Sequence, residues 1–492
     1  MIAEEGLQRR AIRGGFWIFA LRITEQILAL VRLVILARLL SPNDFALMGI
    51  ALITIATIDT LTQTGFDVAL IQRKEQTETY LDSAWTVGIL RGLALFGLLQ
   101  LLAPYAAGFF KSPEAEVLIR AIGIALLLRC FINIGTVYFQ KDLRFDKQFM
   151  YQFSGRFADF VVAVIAVLVL RNVWALVLAF LAGDAARLLV SYAIHPYRPR
   201  LSLSITKARE LFKFGKWIMG SSTVLFFLNE GDKAFVGRVI GATMLGFYQV
   251  AHRISNLPAT EFANVIALVT VPAYSKLQDR MAKLREAYLR VLQLTAFFSI
   301  PLAGLVLVLA PDLTRIFLGE KWMPAAPVMQ ALAIWGSARA IISTTGSVFV
   351  AVGKPRLMTK YQFIQLCVLV VLIYPMSQRW GMVGTASAVV VAGLGTSILF
   401  MRSVRTITGC RMSELVKLIS FPLGTTVLAA TSVLILIRLE TAAGWPVIEL
   451  GLAVGLYLAV YLVTTCILGG PFNYRVGSLI REVIGGIRTP RQ

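Results

Sequence analysis

Cysteine is scarce in this sequence, and its four copies are scattered. Cys130, Cys367, Cys410 and Cys466 lie far apart and mostly within apolar runs. They form neither a disulfide framework nor a metal-ligand spacing, so no metal or other cofactor is expected. Charge is also scarce: 15% of residues are charged, against about 25% in soluble domains. Long polar loops are missing as well, the longest between apolar runs covering 195–210. That excludes a separate soluble catalytic domain. Acidic residues are few, 27 against 48 Lys and Arg, for a net charge of +21. The basic residues are spread over eight short segments rather than gathered on one face, which argues against a nucleic-acid partner. Their bland reading is attraction to anionic lipid headgroups.

What the chain does have is hydrophobicity. Mean hydropathy is +0.74 and 57% of residues are hydrophobic. Fourteen runs approach or reach the ~20 residues that span a bilayer core. They cover 14–37, 45–70, 84–103, 115–139, 150–170, 173–194, 211–231, 243–272, 288–310, 325–350, 361–378, 381–401, 414–437 and 447–468. The expected fold is an all-α polytopic membrane protein with 14 transmembrane helices. Lys and Arg in the connecting segments set its orientation. With the N-terminus inside, 29 fall on the cytoplasmic side and 9 outside, so both termini are expected in the cytoplasm.

The two parts of the chain match at an offset of 200. RGGFWI (13–18) answers KFGKWI (213–218), and ARLLSPNDFALMGIA (37–51) answers GRVIGATMLGFYQVA (237–251). The repeat predicts an N-lobe of spans 1–6 over 1–194, a cytoplasmic linker over 195–210 and a C-lobe of spans 7–12 over 211–405. Spans 13 and 14 follow over 406–468, then a cytoplasmic tail over 469–492. Repeats of this kind place substrate at their interface.

Several spans carry charges. A charge at the bilayer centre costs about 2.5–3.5 kcal/mol on insertion scales and is by default functional. At 100° per residue, Arg22, Glu25, Gln26 and Arg32 of span 1 share an arc of about 120°. In span 8, Gln249, Arg253, Asn256, Thr260 and Asn264 share about 80°, with His252 and Glu261 at the edges. Asp59 and Gln63 share a face of span 2, and Arg339 lies on a polar face of span 10. Arg129 is the better cavity candidate in span 4, because Arg120 points the opposite way. Arg91 has no local partner. Arg156/Asp159 and Asp184/Arg187, spaced i, i+3, are expected to neutralise each other. Arginine forks match phosphate oxygens. Arg22, Arg32, Arg91, Arg129, Arg253 and Arg339 are therefore the candidate pyrophosphate ligands. Gln26, Asp59, Gln63, Gln249, Asn256, Thr260 and Asn264 are candidates for sugar hydroxyls. Glu25, Asp59, Glu230 and Glu261 are candidate ion-coupling sites.

The stretches 37–51, GFDVALIQR (65–73), YFQKDLRFDK (138–147), VWALVLAFLAGDAARLLVSY (173–192), ELFKFGKWI (210–218) and VGRVIGATMLGFYQVAHRISNLP (236–258) occur in an order that resembles the multidrug/oligosaccharidyl-lipid/polysaccharide exporter superfamily. The nearest branch resembles the Wzx-type flippases of O-antigen, colanic acid and related exopolysaccharides. The resemblance implies two six-helix lobes in a V, with helices 13–14 added. It implies alternating-access transport of an undecaprenyl-pyrophosphate-linked glycan across the bacterial inner membrane, with membrane lipids and the pathway's polymerase and glycosyltransferases as neighbours. Arg22 or Arg32, and Arg253, occupy the spans where related flippases keep pyrophosphate arginines. Some relatives bind sodium through carboxylates late in the second lobe; spans 11 and 12 here hold no Asp or Glu. A multidrug antiporter of the same fold is the alternative, disfavoured by arginine in the stripes. A membrane glycosyltransferase or polymerase is less favoured still, because the outer loops are short.

Overall fold

The computed structural model describes residues 2–63, 78–202, 204, 222–439, 446–470 and 474. Only the backbone is described at 2–16, 18–19, 78–79, 257–269, 272, 438–439 and 446. Among the described residues every regular element is helical. The helices are α1 (Ile2–Leu39), α2 (Pro42–Leu61), α3 (Glu78–Phe109), α4 (Ala115–Ile122), α5 (Ile124–Cys130), α6 (Val137–Lys141), α7 (Phe145–Leu170) and α8 (Trp174–Ile194). They continue as α9 (222–235), α10 (Ala242–Ser275), α11 (Met281–Leu313), α12 (Ala326–Ala351), α13 (Pro355–Thr408), α14 (Met412–Leu439) and α15 (Pro446–Gly469).

The start of α2 is written in its sequence. Ser41 is the N-cap, Pro42 opens the helix, and Asp44 completes a capping box with the Ser41 backbone N–H. At the equivalent place 200 residues on, α10 opens at Ala242. Two turns at positive φ break the apolar helices. The chain turns at Arg171, left-handed at φ 49°, between α7 and α8. It turns at Gly381, φ 57°, inside the 54-residue α13, 210 positions later. At 1.5 Å per residue a straight helix of that length would run about 80 Å, far more than one bilayer core. The Gly381 break divides it where spans 11 and 12 were expected to part.

This is a multi-pass membrane protein. Nine helices among the described residues are long and apolar enough to cross a membrane, or ten if the bent pair Ala115–Cys130 and Ile134–Lys141 counts as one. That is fewer than the fourteen expected. Two expected spans, α1 and α10, fall short of that test, and both carry the intramembrane polar residues that drew attention to them. Span 7 lies partly outside the described residues.

The chain separates into two compact units, Met1–Gln249 and Val250–Gln492. The boundary falls inside α10 rather than at 195–210. Its first turns belong to the first unit because they pack there closely: a Cβ on Gly246 would collide with the Pro42 carbonyl.

In the second unit, prolines decide which helices hold together. A proline leaves the carbonyl four residues earlier without its helical donor, a serious cost where no water can replace it. Pro301 in α11 frees the Phe297 carbonyl, and the Tyr461 hydroxyl of α15 donates to it at 2.8 Å. Pro311 frees the Leu307 carbonyl, and Gln330 Nε2 of α12 donates to it at 2.8 Å. Tyr457 adds a bond to the Pro301 carbonyl at 2.8 Å. Helix α15 is thus tied to α11. Tyr461→Phe is expected to lower stability by about 1–2 kcal/mol, near the upper range for intramembrane hydrogen bonds. Tyr457→Phe is expected to cost less, because the Pro301 carbonyl is not one that a proline orphans. The melting temperatures of the two variants in one detergent check the order.

Candidate functional site

A cavity of about 580 Å³ opens within the first unit, lined from α2, α3, α5, α6 and α7. Its size suits a substantial ligand. Two sequence features create the space. Gly88 leaves one face of α3 open, since a Cβ there would meet nothing within 4 Å, while Gly92 lets α3 pack closely on Cys130 of α5. On the opposite side the chain bends by 70° between α5 and α6. Asn133 holds that bend: its Oδ1 accepts the Gly135 N–H at 2.9 Å, and its own N–H donates to Ser191 at 3.1 Å.

Four of the sequence candidates meet here: Asp59, Gln63, Arg91 and Arg129. The two arginines are used differently. Arg91 is saturated. Its Nε donates to the Thr62 carbonyl at 2.9 Å. One Nη donates to the Asp59 carbonyl at 2.8 Å, to Asp59 Oδ1 at 2.5 Å and to Thr62 Oγ1 at 3.0 Å. These are the last carbonyls of α2, which lack helical donors. Arg91, unpartnered within its own span, is the C-terminal cap of another helix.

Arg129 is only partly engaged. Its Nε donates to Asp184 Oδ2 at 2.9 Å, and its guanidinium sits 5.1 Å from the Phe180 ring centroid. Its Nη groups donate to no described residue. Asp184 is also shared with Arg187 at 3.4 Å. One carboxylate, 2% exposed at its side chain, therefore serves two guanidiniums. The group carries one uncompensated positive charge, and the free edge of Arg129 belongs to the cavity wall.

Other candidates lie elsewhere. Arg32 pairs with Asp159 at 3.0 Å, and Glu25 with Arg156 at 3.3 Å. The expected Arg156/Asp159 pair is thus replaced by two cross-helix pairs, because α1 packs along α7. Arg22 is half-buried and bonds to no described residue, and Gln26 is half-buried beside it in sequence. Glu230 pairs with Lys233 at 2.8 Å. Gln249 packs where Gly49 leaves room on α2. In the second unit Arg253 is exposed and Arg339 half-buried. Asn256 is buried, its Nδ2 donating to the His252 carbonyl at 3.0 Å. The side chains of Thr260, Glu261 and Asn264 lie outside the described residues.

Residues after α8 strap across the same region. Tyr197 OH and the Arg200 N–H both donate to Asp82 Oδ1, at 2.6 and 2.8 Å. The Ser202 N–H donates to Thr86 at 2.9 Å, and Asn133 Nδ2 donates to the Tyr197 carbonyl at 2.7 Å. The start of the expected linker is therefore fastened to a residue of the cavity wall. His195 folds the strap, its Nδ1 accepting the Tyr197 N–H at 3.1 Å. Burial, with Lys147 and Arg198 nearby, holds the imidazole pKa below its usual value, and Asp142 opposes them. The folded strap binds the neutral ring, so its stability is complete above the ordinary value of ~6.5 and declines as pH falls below it. A spin label at Leu201 is expected to gain mobility below about pH 6.5, and a His195→Gln variant to lose that response.

Sequence reasoning missed Gln140, Gln148, Gln152 and Trp85, all on the wall. One signal was there: Gln148 and Gln152 are i, i+4 and share a helix face.

A family model described as polysaccharide biosynthesis protein matches residues 35–327. The chain belongs to this polysaccharide biosynthesis family. It is 24% identical over 410 residues to the lipopolysaccharide biosynthesis protein WzxC of Escherichia coli, covering 82% of each chain. It is 30% identical over 296 residues to the teichuronic acid biosynthesis protein TuaB of Bacillus subtilis, covering 59% of this chain and 60% of that one. Among solved structures, the inward closed lipid II flippase MurJ superposes with a TM-score of 0.76 at 16% identity, over 93% of this chain and 99% of MurJ. An inward-facing multidrug transporter of the same exporter superfamily superposes with 0.62 at 16% identity, over 79% and 98%. The fold is that of this superfamily.

Proposed function

We propose that the protein carries an undecaprenyl-pyrophosphate-linked oligosaccharide from the inner to the outer leaflet of a bacterial inner membrane by alternating access, for polysaccharide synthesis. No bond is made or broken, so the protein is a transporter and not an enzyme. Both termini face the cytoplasm in this reading, and the pathway's polymerase and glycosyltransferases are its functional neighbours. The observation that carries it is the free edge of Arg129 in the cavity. A guanidinium with open N–H donors, sharing its one carboxylate with a second arginine, is a seat for phosphate oxygens. The same charge argues against a multidrug antiporter, since hydrophobic cations would meet repulsion. Arg91 positions the end of α2 rather than holding the ligand. Arg22, Arg253 and Arg339 remain further proposed contacts for pyrophosphate. Glu25, Asp59 and Glu230 already neutralise cations, which makes them weaker choices for ion coupling.

The test fills the cavity. Gly88→Phe places a ring in space that no atom near the Cβ occupies, so the helix packing should survive. Complementation of a flippase-deficient strain, and flipping of a fluorescent lipid pyrophosphate in proteoliposomes, are expected to fall by at least tenfold at unchanged protein level. Wild-type transport by Gly88→Phe would remove the cavity from the route.

A further inference from the structure

The cavity wall opposite the helix-capping Arg91 is built of neutral amides, and the function proposed above does not require them. Gln140 on α6 and Gln148 and Gln152 on α7 all line it. None of their side chains bonds to a described residue. Gln148 is the most informative, being only 9% exposed. With no partner among the described residues, these amides leave their hydrogen-bonding capacity open to whatever fills the cavity. Each primary amide offers two N–H donors and a carbonyl acceptor. That is the complement of a vicinal hydroxyl pair, and it carries no charge to attract phosphate or cations.

The aromatic side chains make the class of ligand more specific. Trp85 lines the same cavity, and its indole is fixed in place by donating to the Ile132 carbonyl at 3.2 Å. A held aromatic face presents an apolar surface to the C–H face of a pyranose while amides address its hydroxyls. Tyr151 stands between the two α7 glutamines in sequence and also lines the wall, its ring 6.5 Å from that of Phe139.

We infer that Gln148 and Gln152, with Gln140 and Trp85, form a sugar-reading subsite for the saccharide attached directly to the pyrophosphate, and so decide which lipid-linked glycans enter. The inference rests on the flippase reading and adds to it a division of labour. Arg129 takes the anion, which every such lipid shares. The amide wall takes the sugar, which differs among them.

The experiment measures binding to the purified full-length protein in nanodiscs. The probes are undecaprenyl pyrophosphate without sugar, and the same lipid carrying glucose, galactose or N-acetylglucosamine. The wild type is expected to bind at least one glycosylated probe tenfold or more tighter than the bare lipid. Gln148→Leu and Gln152→Leu are each expected to weaken that probe about tenfold, which corresponds to ~1.4 kcal/mol. Neither should change binding of the bare lipid, and that unchanged binding shows that the variants are folded. Arg129→Gln is expected to weaken all four probes. If the glutamine variants weaken bare and glycosylated probes alike, or if the wild type does not distinguish the four, the subsite is overturned and the flippase reading stands. If the wild type binds none of the four, both are overturned.

Discussion

Arg129→Gln is expected to reduce glycan export by about two orders of magnitude, with the protein still present in the membrane. Glutamine keeps one donor toward Asp184, so the contact that the Nε makes at 2.9 Å has a partial substitute. It loses the charge and the open Nη edge that faces the cavity. Charge-assisted hydrogen bonds are worth about 1.5–3 kcal/mol each, so loss of a two-pronged grip reaches that scale. Arg129→Lys should retain part of the transport, because an ammonium supplies charge without the planar geometry. Arg91 provides the contrast. Its bonds all run to the end of α2, so Arg91→Lys should lower thermal stability more than it lowers lipid binding. Export by a complemented strain, membrane abundance and melting temperature separate the two patterns. Equal loss of binding for both arginines would mean that Arg91 also holds ligand.

The difference between these two arginines marks where the sequence stops being readable. Helical periodicity gives the face on which a residue stands, and it correctly grouped Asp59 with Gln63, both of which line the cavity. It does not say which helix stands opposite. Arg156 and Asp159 are spaced to pair with each other, yet they pair with Glu25 and Arg32 because α1 lies along α7. Arg91 has no partner in its own span and finds one 32 positions away. Hydropathy located the apolar helices and the break at Arg171, where the hydrophobic run is interrupted by Arg-Asn. It was least informative where the chain is both polar and buried. Trp85 and Gln148 gave no local signal of a shared wall, because their proximity depends on the α5–α6 bend that Asn133 holds through Gly135, Ser191 and Tyr197. The repeat was legible as a sequence offset and reappears in the paired helix starts at Pro42 and Ala242. Charge was legible too: arginine in apolar helices is what pointed to an anionic ligand.

Asp184→Asn is expected to be the most damaging substitution in the first unit for folding rather than for binding. The carboxylate is 2% exposed and faces Arg129 at 2.9 Å and Arg187 at 3.4 Å. Its removal leaves two guanidiniums with no counter-charge among the described residues of the group. Breaking a buried charge cluster by removing one member costs about 3–5 kcal/mol, a large share of the stability of a typical protein. The neighbourhood has little room to adapt. A Cβ on Gly155 would collide with the Arg187 side chain, and one on Gly183 would approach the Gly155 carbonyl to 2.9 Å. Arg187 is thus packed closely against α7 at Gly155. Membrane abundance and melting temperature of Asp184→Asn should both fall sharply. The double variant Asp184→Asn with Arg187→Gln restores the original net charge of the group and leaves Arg129 with an amide oxygen to accept its Nε–H. It should recover most of the lost stability. If the double variant is no more stable than the single one, the damage comes from lost shape or hydration around Asp184, and the charge account of the triad fails. If it recovers stability and transport together, Arg187 is only a counter-charge, and the uncompensated cation that the cavity needs is Arg129 alone.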